Sequence, residues 1–588
     1  MKNIFKTFIM LAAAFAMAGC LNHIDDSGFD PQTPNISFSE ESLSIDQNGG
    51  ELIVKLNSNL PWRITSDAAW VTVSEANGLE SQDIVLTVAK NRTRKERTAT
   101  LKAWIIADKP VTMTVVQDPT PANVSFTYYV KADGDGLAEG FTWETATTLP
   151  TAMEKAADGD KICIAAGTYT PITLISGGES EKERTFEIHS NFTMEGGYPA
   201  DATTGAVADP TKHETIFDGT GSAYHVVVVS AAKDQTPAVL RNITITGGRA
   251  HTAVQQTYRQ AGENLVDIGQ GGGVFIGKAN FVMENCRVIA NQATHAAGCF
   301  ILPNAEVTFR NCTFQNNAAD SNGGGIWNAG GTVYMYDCVI AQNTCGQQAA
   351  GYYSIDSGGT ITVSRIYNTA FYENDCTQKA EKRSGGALYI RAGSDAVFVN
   401  CSFTGNKAGW GAVISGHGTG QDAAKLSNTI FFNCTMTGNH ANNGGGGLFA
   451  YNVGAQITAY NCIISGNTSS GIAAEAGVTD GVDASRVVVK NSILGSSLVD
   501  ATGGAVGGWS FSPSTMLGTF GLYDGGTTQC FPLVVTADNP AIDQGLANAE
   551  LTEIASTVFN PAIDTELLLK DQNGTPRTKK SIGSYNAK

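Results

Sequence analysis

The chain is predicted to be all-β: an N-terminal β-sandwich followed by a long right-handed parallel β-helix. Three observations predict it. Residues 35–118 break into short runs of period-two alternation separated by polar turns. Beyond residue 126 an Asn-Cys dipeptide, or a close variant, recurs at near-constant spacing. Each recurrence is followed by β-formers and a Gly-Asn or Asn turn, and preceded by a glycine-rich entry to another short strand, as in "GGGIWN" and "GGALYIR".

The first residues need a separate reading. "MKNIFKTFIMLAAAFAMAGC" carries Lys2 and Lys6, an apolar stretch from Phe8 to Ala18, then Gly19-Cys20. That stretch is too short for a membrane span. Ala18-Gly19-Cys20 resembles a bacterial lipobox, with Met17 in place of the usual leucine. The resemblance implies a signal peptide over residues 1–19, lipidation of Cys20, and a linker over 20–34. Asp25 and Asp26 resemble the surface-export signals of Bacteroidetes lipoproteins. An outer-membrane lipoprotein displayed at the cell surface is therefore the expectation.

In the sandwich, "ELIVKLNSN", "DIVLTVAKN", "RTATLKAWII" and "VTMTVVQDP" alternate, and Gly49-Gly50 suits a turn. Trp62 and Trp70 are expected in the core, and Arg92, Arg94, Lys95 and Arg97 along a solvated edge. The succession "GGELIVKLNSNLPWRI", "WVTVS", "NRTRKERTATLKA" and "VTMTVVQD" resembles the BACON domain, an immunoglobulin-like module of Bacteroidetes surface proteins. Its members accompany carbohydrate-active domains, so glycan binding is what the resemblance implies. A sandwich directly after a lipid anchor is also simply a spacer.

"DPTPANVS" (118–125) links this unit to the repeats of residues 126–588. The dipeptide occurs at Asn285-Cys286, Asn311-Cys312, Asp337-Cys338, Asn368-Thr369, Asn400-Cys401, Asn433-Cys434, Asn461-Cys462 and Asn491-Ser492, at successive steps of 26, 26, 31, 32, 33, 28 and 30 residues. A rung of a parallel solenoid leaves its backbone edges unpaired until the next rung stacks about 4.8 Å away. A propeller of this period would need more strands per repeat than these segments offer. Asparagine at a fixed place can stack in a ladder of side-chain amides. Cysteine beside it is small and readily buried, and glycine permits φ > 0 at sharp corners.

The ladder also bears on redox state. The chain has twelve cysteines, but those of the dipeptide occupy equivalent places where Thr369 and Ser492 substitute, so free buried thiols are expected there. Cys345 and Cys376 lie off that column and are the pair best placed to bond. No C-x-x-C or His/Cys cluster suggests zinc.

Residues 147–171 read as a short amphipathic helix, a turn and a first strand, covering the open end. "YYVKADGDG…GFTWETA…GDKICIAAGTY" resembles the opening of pectin-lyase-like β-helices, and "NPAIDQG" with "DQNGTPRTKKSIGSY" their closing segment. The middle rungs, with "GGAL…NCSFTGN", resemble the repeats of chlamydial polymorphic outer-membrane proteins. Such resemblances imply the fold, which serves lyases, hydrolases and adhesins alike.

The net charge of −17 excludes nucleic acid as a partner. A Ca²⁺-dependent polysaccharide lyase needs clustered carboxylates and a nearby Lys or Arg as base. "SGHGTG" resembles the Gly-His-Gly of polygalacturonase-type hydrolases, but no Asp-Asp pair precedes it by one rung and no Arg-x-Lys follows, so His417 reads as a loop histidine. Asp133 and Asp135 are spaced like Ca²⁺ ligands but lack the rest of an EF-hand loop.

Long connections at 250–270, 345–357 and 377–384 are read as insertions at one corner, and insertions there build binding faces. They place Tyr352, Tyr353 and Asp356 beside Lys379, Glu381, Lys382 and Arg383, with Trp410 and His440 on following rungs. Tyr352, Tyr353, Asp356, Lys379, Trp410 and His440 are the candidate sugar-binding residues. For a lyase, Lys382 or Arg383 would be the base and Asp356 a Ca²⁺ ligand; otherwise no cofactor is implied. The reading is a surface lipoprotein that recognises a polysaccharide or host glycan, or adheres, without catalysis. The alternative is a polysaccharide lyase or related depolymerase.

Overall fold

The structure is a computed structural model. It describes residues 32–586 apart from 235, 252–257, 358, 378–382, 420–425, 507–511 and 558–561. Residues 1–31, with Cys20, Asp25 and Asp26, therefore lie outside the described residues. The chain forms two compact units, Met1–Val124 and Ser125–Lys588.

The first unit is a β-sandwich. One sheet orders Ile36–Phe38, Gly50–Ser58, Gln82–Val88 and Val71–Val73; the other orders Ser42–Ile45, Val111–Gln117, Arg97–Trp104, Trp62–Ser66 and Asn77–Gly78. Alternation turns Val54, Leu56, Ile84 and Leu86 of the first onto Leu101, Ala103, Met113 and Val115 of the second. Trp62 is buried among them and its indole N–H donates to the Glu80 carbonyl at 2.8 Å. Trp70 instead stands half-buried at the margin, because the Arg97 guanidinium lies 4.3 Å over its ring. Arg97 also donates to the Gln117 side chain at 2.8 Å. It is thus a packed residue rather than part of a solvated edge.

The second unit is a parallel β-helix. Three sheets of 12, 13 and 10 strands run its length, and a narrow fourth sheet forms two four-stranded pieces. Register repeats from rung to rung: Val307 pairs with Val333, Phe314 with Ile340, and Ile326 with Tyr352. Inward side chains therefore stack on their own kind. The Phe371 and Phe403 rings lie 4.9 Å apart at 10°, and Phe398 and Phe431 lie 5.1 Å apart at 19°.

Two asparagine ladders close the corners. The asparagines of the Asn-Cys dipeptide and its variants all take left-handed φ, from 47° at Asn491 to 56° at Asn461. Their amides link along the axis, Asn311 to Asn285 at 2.8 Å and Asn461 to Asn433 at 2.7 Å. A second ladder, from the Gly-Asn turns, runs through Asn291, Asn317, Asn343, Asn374, Asn406, Asn439 and Asn467. All seven are fully buried. Each amide also donates to a backbone carbonyl, as Asn374 does to Ile340 at 2.9 Å. The Glu475 carboxylate ends the row by accepting from Asn467 at 2.7 Å.

The adjoining cysteines are buried and unbonded. Each thiol donates to the carbonyl two residues back, Cys338 to Tyr336 at 3.1 Å and Cys462 to Tyr460 at 3.2 Å. The hydroxyls of Thr369 and Ser492 make the same bond. In the glycine run, Gly323 takes φ 71°, while a Cβ on Gly324 or Gly325 would stand 2.5 Å from a carbonyl of the next rung.

The helix Leu149–Lys155 buries Leu149, Ala152 and Met153 in the core cluster shared with Phe126 and Tyr128 at the first rung. The C-terminal segment does not plug the far end. It lies along the flank, where Leu551 and Leu568 cover Tyr367, Val399 and Phe432 of the 12-stranded sheet. Asn400 donates to the Leu567 carbonyl at 2.8 Å and Asn433 to that of Leu568 at 3.0 Å. The reason is apolar cover: these rungs carry Val and Phe outward, whereas earlier ones carry Arg241, Glu284 and Arg310. At the far end the 13-stranded sheet finishes in antiparallel Ser497–Val499 and Ala505–Val506.

Candidate functional site: an aromatic file that surfaces at one corner

Position two of each strand in the 10-stranded sheet points outward, and on the middle rungs the sequence fills it with rings. Phe275, Phe300, Trp327, Tyr353 and Tyr389 stand in register. Their centroids follow one another at 5.3, 5.7, 4.6 and 5.2 Å. Turns fold back over this file: Ala349 packs against Tyr353 and Tyr389, and Gly385 at φ 78° passes where a Cβ would stand 2.8 Å from that of Tyr389. Tyr353 and Tyr389 are therefore buried.

The file then changes character. Ser415 takes the next register position, and His417 continues the stack from two residues on, 4.6 Å from Tyr389 and 4.1 Å from Tyr451 at 16°. Tyr451 is 38% exposed. Trp410, half-buried, lies 5.3 Å from Phe449 and 6.2 Å from Tyr451. Rings that are covered on the earlier rungs thus reach solvent at Trp410 and Tyr451.

Polar groups gather at this exposed end. Arg391 is the register partner of His417. Burial works against its charge, but a hydrogen bond to Tyr353 and the proximity of Tyr389 and Asp356 outweigh it and hold its pKa above the usual value. Burial, then the charge of Arg391, pushes the His417 pKa down to about 3, so its imidazole is neutral at physiological pH. Its Nε2 and the Ser415 hydroxyl have no hydrogen-bond partner among the described residues. Opposite, Asn452 clamps Gly418 by accepting its N–H at 2.8 Å and donating to its carbonyl at 2.5 Å. The result is a face with the exposed Tyr451 ring and the half-buried Trp410 ring beside a fixed cation, a carboxylate and a neutral imidazole.

The sequence-derived residues divide sharply. Trp410 and Asp356 come to this corner. Tyr352 and Tyr353 are corrections: "YYS" is the regular strand Tyr352–Ser354, paired with Ile326–Asn328, and not part of an insertion. Tyr352 consequently points into the core, its hydroxyl 2.7 Å from the Ser364 hydroxyl, and burial pushes its pKa up to about 12. Tyr353 is an interior member of the file. Lys379, Glu381 and Lys382 lie outside the described residues. Arg383 begins a rung, its carbonyl accepting the Trp410 N–H at 2.8 Å, and its buried Nε has no hydrogen-bond partner among the described residues. His440 sits apart on the narrow sheet, with Nδ1 2.9 Å from the Thr468 hydroxyl. His417 belongs to the strand Ile414–His417 and is stacked, so it is not a loop histidine. Asp356 faces Arg391; among the described residues no three His, Cys, Asp or Glu side chains gather as metal ligands.

Sequence reasoning missed Tyr389, Arg391 and Tyr451. The signal was present: "GGALYIR" and "GGGGLFAY" repeat the glycine entry of "GGGIWN", which fixes which following residue faces outward.

Two grooves lie elsewhere. One, of about 330 Å³, is lined by Arg249, Gln292 and Thr344 and by His251, whose Nδ1 is 2.6 Å from Asp320. The other, of about 450 Å³, lies among Tyr129, Trp143 and Tyr198. There Lys161 is committed to Glu195 at 2.6 Å.

The fold defines the class: an N-terminal, largely antiparallel β-sandwich followed by a right-handed parallel β-helix. A family model described as a viral BACON domain matches residues 35–119, and one described as a right-handed β-helix region matches residues 230–340. No curated protein matches the chain. Among solved structures it is similar to a pectate lyase at 14% identity, over 78% of this chain and 89% of that one, with a TM-score of 0.39. A rhamnogalacturonan lyase matches at 14% identity over 62% and 87%, with a TM-score of 0.30. A Bacteroides ovatus GH5 xyloglucanase in complex with a heptasaccharide matches at 15% identity over 36% and 46%, with a TM-score of 0.15. At such TM-scores these likenesses bear on neither substrate nor mechanism.

Proposed function

We propose that this protein is a non-catalytic glycan-recognition protein, lipid-anchored at Cys20 and displayed on the outer membrane, with the sandwich serving as a spacer. The observation that carries the reading is the emergence of a buried aromatic file at Trp410 and Tyr451 beside Arg391, Asp356 and His417. Aromatic faces stack on the apolar faces of sugar rings, while fixed polar groups select hydroxyls or a carboxylate. The polar groups here are held by packing from the rungs below, which lowers the entropy cost of binding.

One observation favours a second reading, a polysaccharide lyase or related depolymerase. Arg249 has no charged partner among the described residues and shares a groove with the His251–Asp320 pair. A base and an orienting acid could act there. The experiment that separates the readings offers soluble protein, residues 21–588, a panel of uronate-containing and neutral glycans with and without Ca²⁺. Recognition predicts retardation in an affinity gel and no product. Unsaturated or reducing-end product, lost on changing Arg249, would replace the proposal with the lyase reading.

A further inference from the structure

The narrow fourth sheet carries a column of small buried side chains: Ala250, Ala293, Ala319, Cys345, Cys376, Ala408 and Ala441. Alanine fills this column on the rungs before and after, so the space demands nothing larger. Two successive rungs depart from it together. The Thr344–Asp375 bridge sets their register, and the Cys345 N–H donates to the Asp375 carbonyl at 3.2 Å. Cys345 and Cys376 therefore face one another across a rung spacing of about 4.8 Å, within the roughly 4.4–6.8 Å that bonded cysteines span.

The sulfur atoms stand 2.8 Å apart. That is well inside the roughly 3.5–4.0 Å at which even unbonded carbon atoms rest. The dipeptide cysteines behave differently, each thiol being satisfied by a carbonyl of its own strand. The Cys345 thiol is aimed at Cys376 instead, while the Cys376 thiol also reaches the Gln347 carbonyl at 3.1 Å; in the structure both stand as free thiols.

From this geometry we infer that Cys345 and Cys376 form a disulfide in the exported protein, a covalent tie between two adjacent rungs. The two thiols lose two protons and two electrons. The electrons pass to the disulfide of a thiol–disulfide oxidoreductase, which leaves as a dithiol once its mixed disulfide with one cysteine is displaced by the other. Both cysteines are buried in the finished rungs, so the bond forms while the chain is folding. It closes the loop that contains the rung strand Tyr352–Ser354, and it fixes the start of the connection leading to Arg383, whose carbonyl holds Trp410. Redox state would thus bear on the corner that carries the proposed site, although the bond itself does not depend on that reading.

The test is peptide mapping of the mature chain exported to an oxidising compartment. Thiols are alkylated in denaturant without reduction, and the digest is read by mass spectrometry. The expected result is one cross-linked pair of peptides, containing Cys345 and Cys376 and lighter by two hydrogens than their sum, with the dipeptide cysteines alkylated. A chain made in a reducing cytosol, then unfolded and refolded with glutathione disulfide, should give the same pair, which separates the geometry from the question of export. The Cys345→Ala/Cys376→Ala double variant, matched to the rest of the column, should fold and lose the cross-link. Reductant should then lower the melting temperature of the wild type but not of the variant. Full alkylation of both cysteines after refolding with glutathione disulfide, or a bond from either one to a different cysteine, would overturn the inference.

Discussion

The buried ladder from Asn291 to Asn467 and the aromatic file from Phe275 to Tyr451 climb the same rungs, yet they obey different rules. The ladder repeats one residue without exception, because each amide must satisfy its neighbour and a carbonyl at once. The file changes from Phe to Trp, Tyr and His as it climbs, because its members need only a ring of suitable width and whatever cover the local turn provides. Uniformity marks what holds the rungs together. Variation marks where the surface can acquire a role, and here the variation ends in exposed rings beside Arg391.

That contrast can be attacked from both sides. The largest effect is expected inside. Phe371→Ala removes a ring stacked on Phe403, and should cost about 3–5 kcal/mol of local stability by denaturant-monitored hydrogen exchange. Asn374→Ala should cost about 2–3 kcal/mol, since it strands the Asn343 amide and the Ile340 carbonyl. A ladder variant with unchanged exchange would show that the amide row is ornament.

Outside, Trp410→Ala with Tyr451→Ala should shift stability little while weakening glycan binding by about 1–2 kcal/mol, roughly five- to thirtyfold, in an affinity gel. The pH response sharpens the same division. His417 is neutral when folded and has a pKa of about 3 against an ordinary 6.5, so below 6.5 the unfolded chain takes up a proton that the folded chain refuses. Stability from this group is complete above pH 6.5 and is lost progressively as pH falls towards 3, by up to about 1.4 kcal/mol per unit. His417→Phe should flatten that slope in acid-denaturation curves. The smallest effect belongs to Cys338→Ser, which keeps the bond to the Tyr336 carbonyl as Ser492 does in its own rung; it should cost about 1 kcal/mol or less in thermal melts.

How much of this was legible in the sequence follows from the same contrast. The Asn-Cys spacing marks a corner that every rung must make in the same way, so the solenoid, the ladder and the free thiols beside it could be read from residue positions alone. The site could not. Tyr352 and Tyr353 looked like an insertion because their entry is "AAGYYS" rather than three glycines, and alanine at 349 takes the left-handed turn, φ 56°, that glycine takes at 323. Once that register slipped, the outward column through Tyr389 and on to His417 and Tyr451 was lost with it. The path of the C-terminal segment was not legible either: a strap along the flank and a plug at the end bury similar apolar residues, and only the outward Val399 and Phe432 reveal which is needed.

The most direct measurement is affinity-gel retardation of the wild type and of the Trp410→Ala/Tyr451→Ala variant, on whichever glycan of the panel retards the wild type, with product assayed in the same samples. The account predicts retardation of the wild type, clearly weaker retardation of the variant at equal folding, and no product from either. Equal retardation of both proteins, or cleavage of the glycan, would contradict it.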